Sequence, residues 1–579
     1  MITLEELNAA SESQFTTALE GIFEHSPWIA QRAASLRPFT SRLHLLETMR
    51  NVLQNAAPEE QLALIRAHPE LAGRAAIRNE LTRESGEEQR GAGLHACTPQ
   101  EFARLHELNA GYYDRFGFPF ILAVRGHDRA SIIATLERRL HNPWQLERDI
   151  AVREIGYIAG YRLAERVSSP RGAEIMAMLD WLAQFSEHES RLTCSYLSTA
   201  HRAAAAQIRE WMLAAGLSVE IDAVGNVVGR LPCGRSGAKT LITGSHYDTV
   251  IDAGRYDGRL GIVLPIIAAL ELRQRGTQLP FDLEVIAFSD EEGVRFKSTF
   301  IGSSAVAGCF DERILDCTDT SGTSMRAAML EAGLDAAKIP TVARAPRQLL
   351  GYVEVHIEQG PVLLNEQRAL GVVTSIAGSV RYDVSVVGLA GHAGTVPMAL
   401  RRDAAAAAAE IVLAIERVCG ATQGLVGTVG KLEVPGGAIN VIPARCDLTI
   451  DVRAGDDALR NRAMADILAT IDAIAARRGV HASVQQLMEA AAAPCAPGMQ
   501  KLWADSISRI TGDSSPRHLP SGAGHDAMKM AAVTDIGMLF VRCGNGGISH
   551  HPHEIVDVAD VDLATRAFED FLMNFRADT

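Results

Sequence analysis

The stretch "GSHYDTVIDAGRYDG", residues 244–258, places one histidine and three aspartates among glycines, directly after the apolar run "TLIT". Three later runs carry similar side chains: "FSDEEG" with Glu291 and Glu292, "VEVHIEQG" with His356, and "GISHHPHE" with His550. Imidazole nitrogens and carboxylate oxygens are common ligands of divalent cations. These residues indicate a hydrolysis in which two cations share one carboxylate and activate a water molecule.

A structural interpretation of the same residues is open at this point. A single histidine at a strand end is more often a hydrogen-bonded structural residue than a ligand, and Asp-Gly commonly forms a turn. Four such clusters at four strand ends are harder to explain in this way. Spacing alone therefore leaves a metal site and a structural role about equally supported.

The elements that position these residues alternate along the chain. "KTLITGSH", "FDLEVIAFSDEEG" and "YVEVHIEQG" are predicted strands, and "LGIVLPIIAALELRQRG" is a predicted helix. This alternation predicts an α/β domain, residues 172–375 and 490–579, with a mostly parallel sheet and helices on both faces. Ligand chemistry in such sheets collects at the carboxyl ends of the strands. Residues 376–489 show the order strand, helix, strand, strand, helix, strand, which predicts an inserted α+β domain.

The first part of the chain has a different pattern. "LHLLETMRNVL", "QEFARLHELNAGYYDRF" and "PWQLERDIAVREIGYIAGYRLAERV" carry apolar residues at three- and four-residue spacing, which is typical of helices. The polar stretch "SSPRG", residues 168–172, then indicates a domain boundary. The sequence thus predicts a multidomain protein, with an all-α domain at residues 1–167 ahead of the α/β domain and its insertion.

Composition narrows the classes of function. The chain has 579 residues, a formal net charge of −14 and nine cysteines. The negative charge disfavours nucleic acids and anionic membranes as partners but allows a small anionic substrate. The cysteines show no C-x-x-C pair, no run is long enough to cross a bilayer, and the N-terminus lacks the features of a signal peptide. We expect a reduced, cytoplasmic protein.

The second part resembles the dinuclear-metal amidohydrolases that include allantoate amidohydrolases and N-carbamoyl-L-amino-acid hydrolases. The resemblance covers residues 172–579 through nine motifs in the family's order, namely "GSHYDTV", "YDGRLG", "DEEGVRF", "HIEQGPVL", "GHAGTVPM", "NVIP", "DVRA", "SGAGHDA" and "SHHPHE". It implies one metal held by His246, Asp257 and His356, and a second held by Asp257, Glu292 and His550. Mn²⁺ is the expected metal, with Zn²⁺ or Co²⁺ as alternatives.

The same resemblance implies further roles. Glu291 matches the family's general base, and His392 matches a histidine that stabilises the oxyanion, across a homodimer formed by the inserted lid domain. The residues expected to bind the substrate carboxylate are Gln359, Asn440 and Arg453. His525 and Asp526 match supporting residues. The motif "SHHPHE" departs from relatives in its additional imidazoles, His551 and His553.

The first part resembles the decarboxylases of 2-oxo-4-hydroxy-4-carboxy-5-ureidoimidazoline (OHCU), which use no cofactor. "AHPELAG", "SGEEQRGAGL" and "LNAGYYDRFGFPFILAVRG" carry this resemblance over residues 1 to about 165. It implies that His68 is the catalytic acid/base, a task that suits a near-neutral pKa. The residues expected around the substrate are Ser85, Glu88, Gln89 and Arg125.

Together the two resemblances predict a bifunctional enzyme of purine breakdown that acts on small ureido compounds. One part converts OHCU to S-allantoin, and the other hydrolyses allantoate to ureidoglycine, CO₂ and ammonia. The two steps are not consecutive, because a ring-opening reaction lies between them. The alternatives are an N-carbamoyl-L-amino-acid hydrolase or a ureidoglycolate amidohydrolase in the second part. In a non-enzyme alternative, one part is a degenerate assembly scaffold.

Overall fold

The computed structural model describes residues 1–71, 85–86, 94, 97–124 and 129–576. Over these residues the chain divides into two compact units. The first unit holds residues 1–182, 210–218 and 269–275, and the second unit holds residues 183–209, 219–268 and 276 onward.

The first unit is helical, as the sequence predicts. Its helices are Leu4–Ala9 (α1), Glu12–Ala18 (α2), Pro27–Ala34 (α3), Arg42–Gln54 (α4), Pro58–Ala67 (α5), Pro99–Phe116 (α6), Arg129–Arg139 (α7), Trp144–Arg166 (α8) and Arg171–Leu182 (α9). The apolar faces of these helices form one core, which contains Phe15, Met49, Ile65, Tyr112 and Ile155. A two-residue parallel ladder, Ile2–Thr3 (β1) with Val167–Ser168 (β2), was not predicted, because strands so short show no periodicity.

The first unit continues through α9, beyond the polar stretch at residues 168–172. Glu174 on α9 is the physical reason. Its carboxylate accepts hydrogen bonds from the backbone N–H groups of Arg42 and Leu43, in the first turn of α4. A carboxylate at a helix N-terminus is stabilised by the unpaired N–H groups there, so this contact holds α9 against the first unit.

The second unit contains a nine-stranded sheet and a smaller antiparallel sheet. The strands after residue 182 are Ser218–Ile221 (β3), Val227–Leu231 (β4), Thr240–His246 (β5), Asp282–Phe288 (β6), Leu349–Ile357 (β7), Leu370–Ile376 (β8), Gly378–Val387 (β9), Gly391–His392 (β10), Leu425–Thr428 (β11), Leu432–Glu433 (β12), Val441–Ile442 (β13), Arg445–Ala454 (β14), His481–Ala490 (β15), Ala493–Pro494 (β16), Arg517–Ser521 (β17) and Ile536–Val541 (β18).

The large sheet has the order β16-β8-β18-β7-β5-β6-β4-β3, with β17 paired to β8. The neighbours β6, β5, β7 and β18 are parallel. Outside this group β4 pairs with β6 and β8 pairs with β18 in antiparallel fashion. The sheet is therefore mixed rather than mostly parallel. The apolar runs that predicted these strands carry no information on strand direction, so the sequence could not distinguish the two arrangements.

The smaller sheet has the order β11-β14-β9-β15, with β12 paired to β14, and its neighbouring strands are antiparallel. The helices after residue 182 are Thr199–Ala214 (α10), Leu260–Gln274 (α11), Ile301–Val306 (α12), Met325–Glu331 (α13), Val362–Asn365 (α14), Ala404–Gly420 (α15), Asp457–Arg478 (α16), Pro497–Thr511 (α17), Ala527–Met530 (α18) and Val558–Asn574 (α19). Helices α15 and α16 pack on this sheet through a core that includes Val384, Ile411, Val452 and Ile467. None of the helices in the described chain is long and apolar enough to span a membrane.

Candidate functional site

The carboxyl ends of the four parallel strands bring the predicted ligands to one edge of the large sheet. His246 is the last residue of β5, and His356 lies one residue before the end of β7. Glu291 and Glu292 follow the end of β6, and His550 follows β18 along the chain. The residues of β5 after Thr240 are buried, so the strand is packed on both faces. This packing holds His246, its last residue, in a defined position.

Asp257 lies at the centre of these side chains. The Nε2 atoms of His246 and His356 are 3.5 and 3.1 Å from its Oδ1 atom. The Nε2 atom of His550 is 3.2 Å from its Oδ2 atom and 3.4 Å from Oε1 of Glu292. The two oxygens of Asp257 therefore face two different sets of ligands.

The donor atoms fit two divalent cations. In the set His246, Asp257 and His356, and in the set Asp257, Glu292 and His550, the ligand atoms lie within 4.8 Å of one another. In two of the histidines the other ring nitrogen faces an acceptor: Nδ1 of His246 is 3.2 Å from the carbonyl oxygen of Asp248, and Nδ1 of His356 is 2.9 Å from that of Ile357. A proton on Nδ1 leaves Nε2 as the ligand atom, which is the tautomer that a metal requires.

The electrostatics of the cluster also favour cations. Burial raises the pKa of Asp257, but contacts with the three histidines outweigh burial and hold it well below its usual range. Burial raises the pKa of Glu291 well above its usual range and, with the charge of Asp257 nearby, raises that of Glu292 to about 7. Buried carboxylates this close together are unfavourable as anions unless positive charge neutralises them.

Asp248 is a functional residue that the sequence reasoning missed. Its Oδ1 and Oδ2 atoms accept hydrogen bonds from the backbone N–H groups of Glu291 and Glu292, at 3.0 and 3.1 Å. Its Oδ1 atom also lies 3.3 Å from Nδ1 of His246. One carboxylate thus orients the candidate ligand His246 and the loop that carries Glu291 and Glu292. The signal was the His-x-Asp spacing in "SHYD", which places both side chains at the same strand end.

Gln359 contacts two of the candidate metal ligands in the structure. Its Nε2 atom donates to Oδ2 of Asp257 at 2.7 Å and lies 3.3 Å from Nε2 of His550. Gln359 has a φ of 54°, an unfavourable conformation for a residue with a side chain. His525 lies behind the cluster, with its ring centre 4.4 Å from that of His356 and its Nε2 atom 2.7 Å from Oγ of Ser521.

His392, predicted to stabilise the oxyanion, and Asn440 and Arg453, predicted to bind the substrate carboxylate, make their observed contacts outside the Asp257 cluster. His392 is exposed on β10, which pairs with β13, and the N–H of Ala393 donates to the carbonyl oxygen of Asn440 at 2.9 Å. Arg453 donates to Asp451 at 3.0 Å and to the carbonyl oxygen of Gly522 at 2.8 Å. Within the described part of the chain, no hydrogen bond or ion pair connects His392, Asn440 or Arg453 to Asp257.

The first unit contains a second candidate site around His68. The Nδ1 atom of His68 lies 3.0 Å from the carbonyl oxygen of Leu64, and Nε2 is buried with no hydrogen-bond partner among the described residues. Burial lowers the pKa of His68 to about 4, which differs from the near-neutral value expected from the sequence. The imidazole is therefore neutral at physiological pH, with the Nε2 lone pair available as a proton acceptor.

A buried ion pair lies close to His68. The guanidinium of Arg162 donates to Oε2 of Glu24 at 2.7 Å and to Oγ of Ser85 at 3.1 Å, and that hydroxyl donates to Glu24 at 3.1 Å. The charges of Glu24 and Arg162 both act on the pKa of His68. The structure thus places the predicted residue Ser85 near His68, and adds Glu24 and Arg162, which the sequence reasoning missed. Glu88, Gln89 and Arg125 lie outside the described residues.

Two family models match the chain. Residues 8–164 match the model of OHCU decarboxylase, and residues 242–574 match that of peptidase family M20/M25/M40. A probable allantoate deiminase from Oryza sativa subsp. japonica is 43% identical over 431 residues, which span 69% of this chain and 87% of that protein. An N-carbamoyl-L-amino acid amidohydrolase from Geobacillus stearothermophilus is 39% identical over 347 residues, which span 60% of this chain and 84% of that protein.

Solved structures agree with this result. The crystal structure of an amidase of the hydantoinase/carbamoylase family from Burkholderia multivorans matches with a TM-score of 0.65 at 29% identity, and covers 69% of this chain and 97% of that chain. The chain therefore belongs to peptidase family M20/M25/M40, whose hydrolases are dinuclear metal enzymes, and it carries an OHCU decarboxylase unit ahead of the hydrolase fold. Both predicted resemblances are confirmed, and the molecule is an enzyme that joins a lyase to an amidohydrolase.

Proposed function

We propose that the chain is a bifunctional enzyme of urate breakdown. The first unit decarboxylates OHCU to S-allantoin, and the second hydrolyses allantoate to ureidoglycine, CO₂ and ammonia. The observation that carries the second assignment is the convergence of three histidines and Glu292 on the two oxygens of Asp257. The similarity to an allantoate deiminase supports allantoate as the substrate.

In this proposal His246, Asp257 and His356 hold one divalent cation, and Asp257, Glu292 and His550 hold the other, with Mn²⁺ preferred over Zn²⁺ or Co²⁺. When bound, the cations lower the pKa of a water molecule and polarise the carbonyl group of the substrate. The chain contributes the geometry, because Asp248 and Ile357 fix the rings of His246 and His356 with Nε2 directed at Asp257.

Glu291 is the proposed general base. It is buried, and Asp248 accepts a hydrogen bond from its backbone N–H, which fixes the main chain that carries the side chain. Burial raises the pKa of Glu291 and so makes its carboxylate a stronger base, which can accept a proton from the attacking water and transfer it to the leaving nitrogen. His392 is proposed to stabilise the oxyanion, and Gln359, Asn440 and Arg453 to bind the substrate carboxylate, for which the fork of an arginine is well suited.

We also propose the domain boundaries 1–167, 172–375 with 490–579, and 376–489, in which the last is an inserted lid that forms a homodimer. In this division α9 belongs by sequence to the α/β domain, although it is part of the compact first unit. Four large apolar side chains near His392 and Asn440 in the sequence support this interface. Leu389, Met398, Leu400 and Ile439 are 61, 76, 71 and 104% exposed. Exposed apolar groups of this kind mark surfaces that contact protein.

Complementation tests the dimer. Glu291→Ala and His392→Ala are each expected to be inactive as a hydrolase. If His392 acts in the active site of its partner, one of the two sites in a mixed dimer is intact, and an equimolar refolded mixture regains about a quarter of the wild-type activity. A mixture that stays inactive while light scattering shows dimers would contradict the role of His392 across the interface.

In the first unit, His68 is the proposed acid/base. Loss of CO₂ from a carboxylate consumes one proton at the carbon atom, and the substrate's own imine and carbonyl groups can hold the electron pair before that proton arrives. The Nε2 atom of His68 can take up a proton from water, leaving hydroxide, and deliver that proton to one face of the carbanion. Arg162, held by Glu24, offers a cation for the substrate carboxylate. No cofactor is required in this scheme.

The substrate of the second unit is tested by ammonia release. Metal-reconstituted protein is assayed on allantoate, ureidoglycolate and an N-carbamoyl-L-amino acid, with Glu291→Ala as the negative control. We expect the highest kcat/KM on allantoate. Activity on the N-carbamoyl-L-amino acid alone would overturn the assignment and favour the second candidate function, which the similarity to the Geobacillus stearothermophilus enzyme supports.

A further inference from the structure

Glu554 is a buried carboxylate beside the loop that carries Asp257, and none of the roles above uses it. Its Oε1 atom accepts hydrogen bonds from the backbone N–H groups of Tyr256 and Asp257, at 2.9 and 3.2 Å. These two amides belong to consecutive residues, so one oxygen fixes the peptide unit between them. Glu554 thus contacts the main chain at the residue whose side chain is the proposed bridge between the cations.

Ser549 connects Glu554 to the side chain of Asp257 as well. Its Oγ atom lies 2.8 Å from Oε2 of Glu554 and 3.0 Å from Oδ2 of Asp257. The hydroxyl group has one proton, which it can donate to either carboxylate oxygen, so Ser549 contacts both side chains and links their positions. Glu554 therefore reaches Asp257 twice, through the backbone and through the hydroxyl of Ser549.

Gly254 provides an independent sign that this contact is built into the loop. A Cβ atom added to Gly254 would lie 2.2 Å from Cδ, 2.3 Å from Oε1 and 2.5 Å from Cβ of Glu554. Gly254 does not have a left-handed φ, so the backbone conformation alone does not require glycine here. Glycine is needed because the side chain of Glu554 packs directly on its Cα atom.

The orientation of Asp257 decides whether two cations can share it. Its Oδ1 atom must face His246 and His356 while Oδ2 faces His550. A rotation of the carboxylate that keeps one set of contacts breaks the other, so a flexible loop would hold one cation at the expense of the second. A fixed peptide unit at residues 256–257 removes this freedom.

We propose that Glu554 is a positioning residue that holds Asp257 in the orientation needed to bridge two divalent cations, an inference that rests on the proposed function of this site. The residue acts through Asp257 and does not itself bind the substrate. Gly254 permits this arrangement by leaving room for the Glu554 side chain.

Binding of Co²⁺ to the metal-free full-length protein, followed by calorimetry and by visible absorption, tests this inference without the use of catalysis. Glu554→Ala is expected to bind Co²⁺ about 10–100-fold more weakly than the wild type. Glu554→Gln keeps a carbonyl oxygen for the two amides and a donor for Ser549, so it is expected to restore most of the affinity. Gly254→Ala leaves Glu554 chemically intact but displaces it, and is expected to resemble Glu554→Ala.

Gly420→Ala is the matched control, because an added Cβ there meets nothing within 4 Å and φ is not left-handed. Circular dichroism of each metal-free variant checks that it is folded. Should Glu554→Ala not fold, the comparison of Glu554→Gln, Gly254→Ala and Gly420→Ala still decides the matter. If folded Gly254→Ala binds Co²⁺ with wild-type affinity and spectrum, the inference is wrong. If the wild type itself binds no Co²⁺, the proposed metal site is wrong instead.

Discussion

The Nε2 atom of His356 lies 3.1 Å from Oδ1 of Asp257, although His356 is on β7 and Asp257 lies in the turn before α11. The Nδ1 atom of the same ring faces a backbone carbonyl oxygen at 2.9 Å, which fixes the ring and leaves Nε2 for a ligand. The imidazole ring and the carboxylate are therefore already oriented as ligands for a metal ion before any ion binds.

Substitution of the proposed base should separate chemistry from metal binding. We expect Glu291→Gln to lower the kcat of the hydrolase by about 10²–10⁴-fold, because a neutral amide cannot accept the proton of the attacking water. The metal content and the decarboxylase activity should stay at the wild-type level. Glu331→Gln, an exposed glutamate on α13, is the control. A Glu291→Gln protein with wild-type kcat would rule out this role.

Substitution of Asp248 should weaken metal binding. The two oxygens of Asp248 accept hydrogen bonds from the backbone N–H groups of Glu291 and Glu292. In Asp248→Asn an NH₂ group replaces one of these oxygens, so a side-chain donor would face a backbone donor. We expect the affinity for Mn²⁺ to fall about 10–100-fold. Asp466→Asn on α16 is the exposed control. Equal affinities of the two variants in a Mn²⁺ titration would show that Asp248 does not orient the site.

The pair Glu24–Arg162 should contribute strongly to the stability of the first unit. Glu24→Gln removes one charge of a buried pair, and such changes cost about 3–5 kcal/mol of unfolding free energy. The exposed pair Arg104–Glu137 is the control, since solvent screens it and Glu137→Gln should cost far less. Urea unfolding followed by circular dichroism measures both. Decarboxylase activity should fall in Glu24→Gln and not in Glu137→Gln. Equal losses of unfolding free energy in the two variants would show that the buried pair is no more important than the exposed one.

His68 should make the stability of the first unit depend on pH in a defined window. Its pKa is about 4 in the folded protein, below the usual 6.5, so folding favours the neutral form. The associated stability is fully present above pH 6.5 and is lost as the pH falls through 4. The total loss is about 3 kcal/mol, from about 1.4 kcal/mol per pKa unit.

This effect is isolated by comparing the unfolding free energies of the wild type and His68→Gln between pH 7 and pH 4. The difference between the two proteins should change by the stated amount, while carboxylates that titrate in both proteins cancel. A difference that stays constant over this range would show that His68 is not a buried neutral imidazole.

The sequence predicted the parts of the fold that depend on local patterns. The helices α4, α6 and α8 were predicted within a few residues, since their apolar spacing is regular. The strand ends at His246 and His356 were predicted because continuous apolar runs stop there. The directions of β4 and β8 and the packing of α9 through Glu174 were not predictable, because they depend on partners far away in the chain.

The same distinction applies to the sites. The ligands around Asp257 stand in recognisable motifs, and the structure brings His246, Glu292, His356 and His550 together around it. Glu554 acts through backbone N–H groups, which leave no pattern of residue types in a sequence, whereas Asp248 had a signal in the His-x-Asp spacing of "SHYD". Glu24 and Arg162 are 138 positions apart, so only the folded chain reveals the ion pair.

The most direct test of the central claim is the metal content of the purified chain and of Asp257→Asn, measured by mass spectrometry after dialysis against Mn²⁺. We expect two cations per chain in the wild type. In Asp257→Asn we expect loss of at least one cation together with hydrolase activity, while decarboxylase activity is kept. Full hydrolase activity in a wild-type preparation that contains no divalent metal, or two cations and full activity in Asp257→Asn, would contradict this claim.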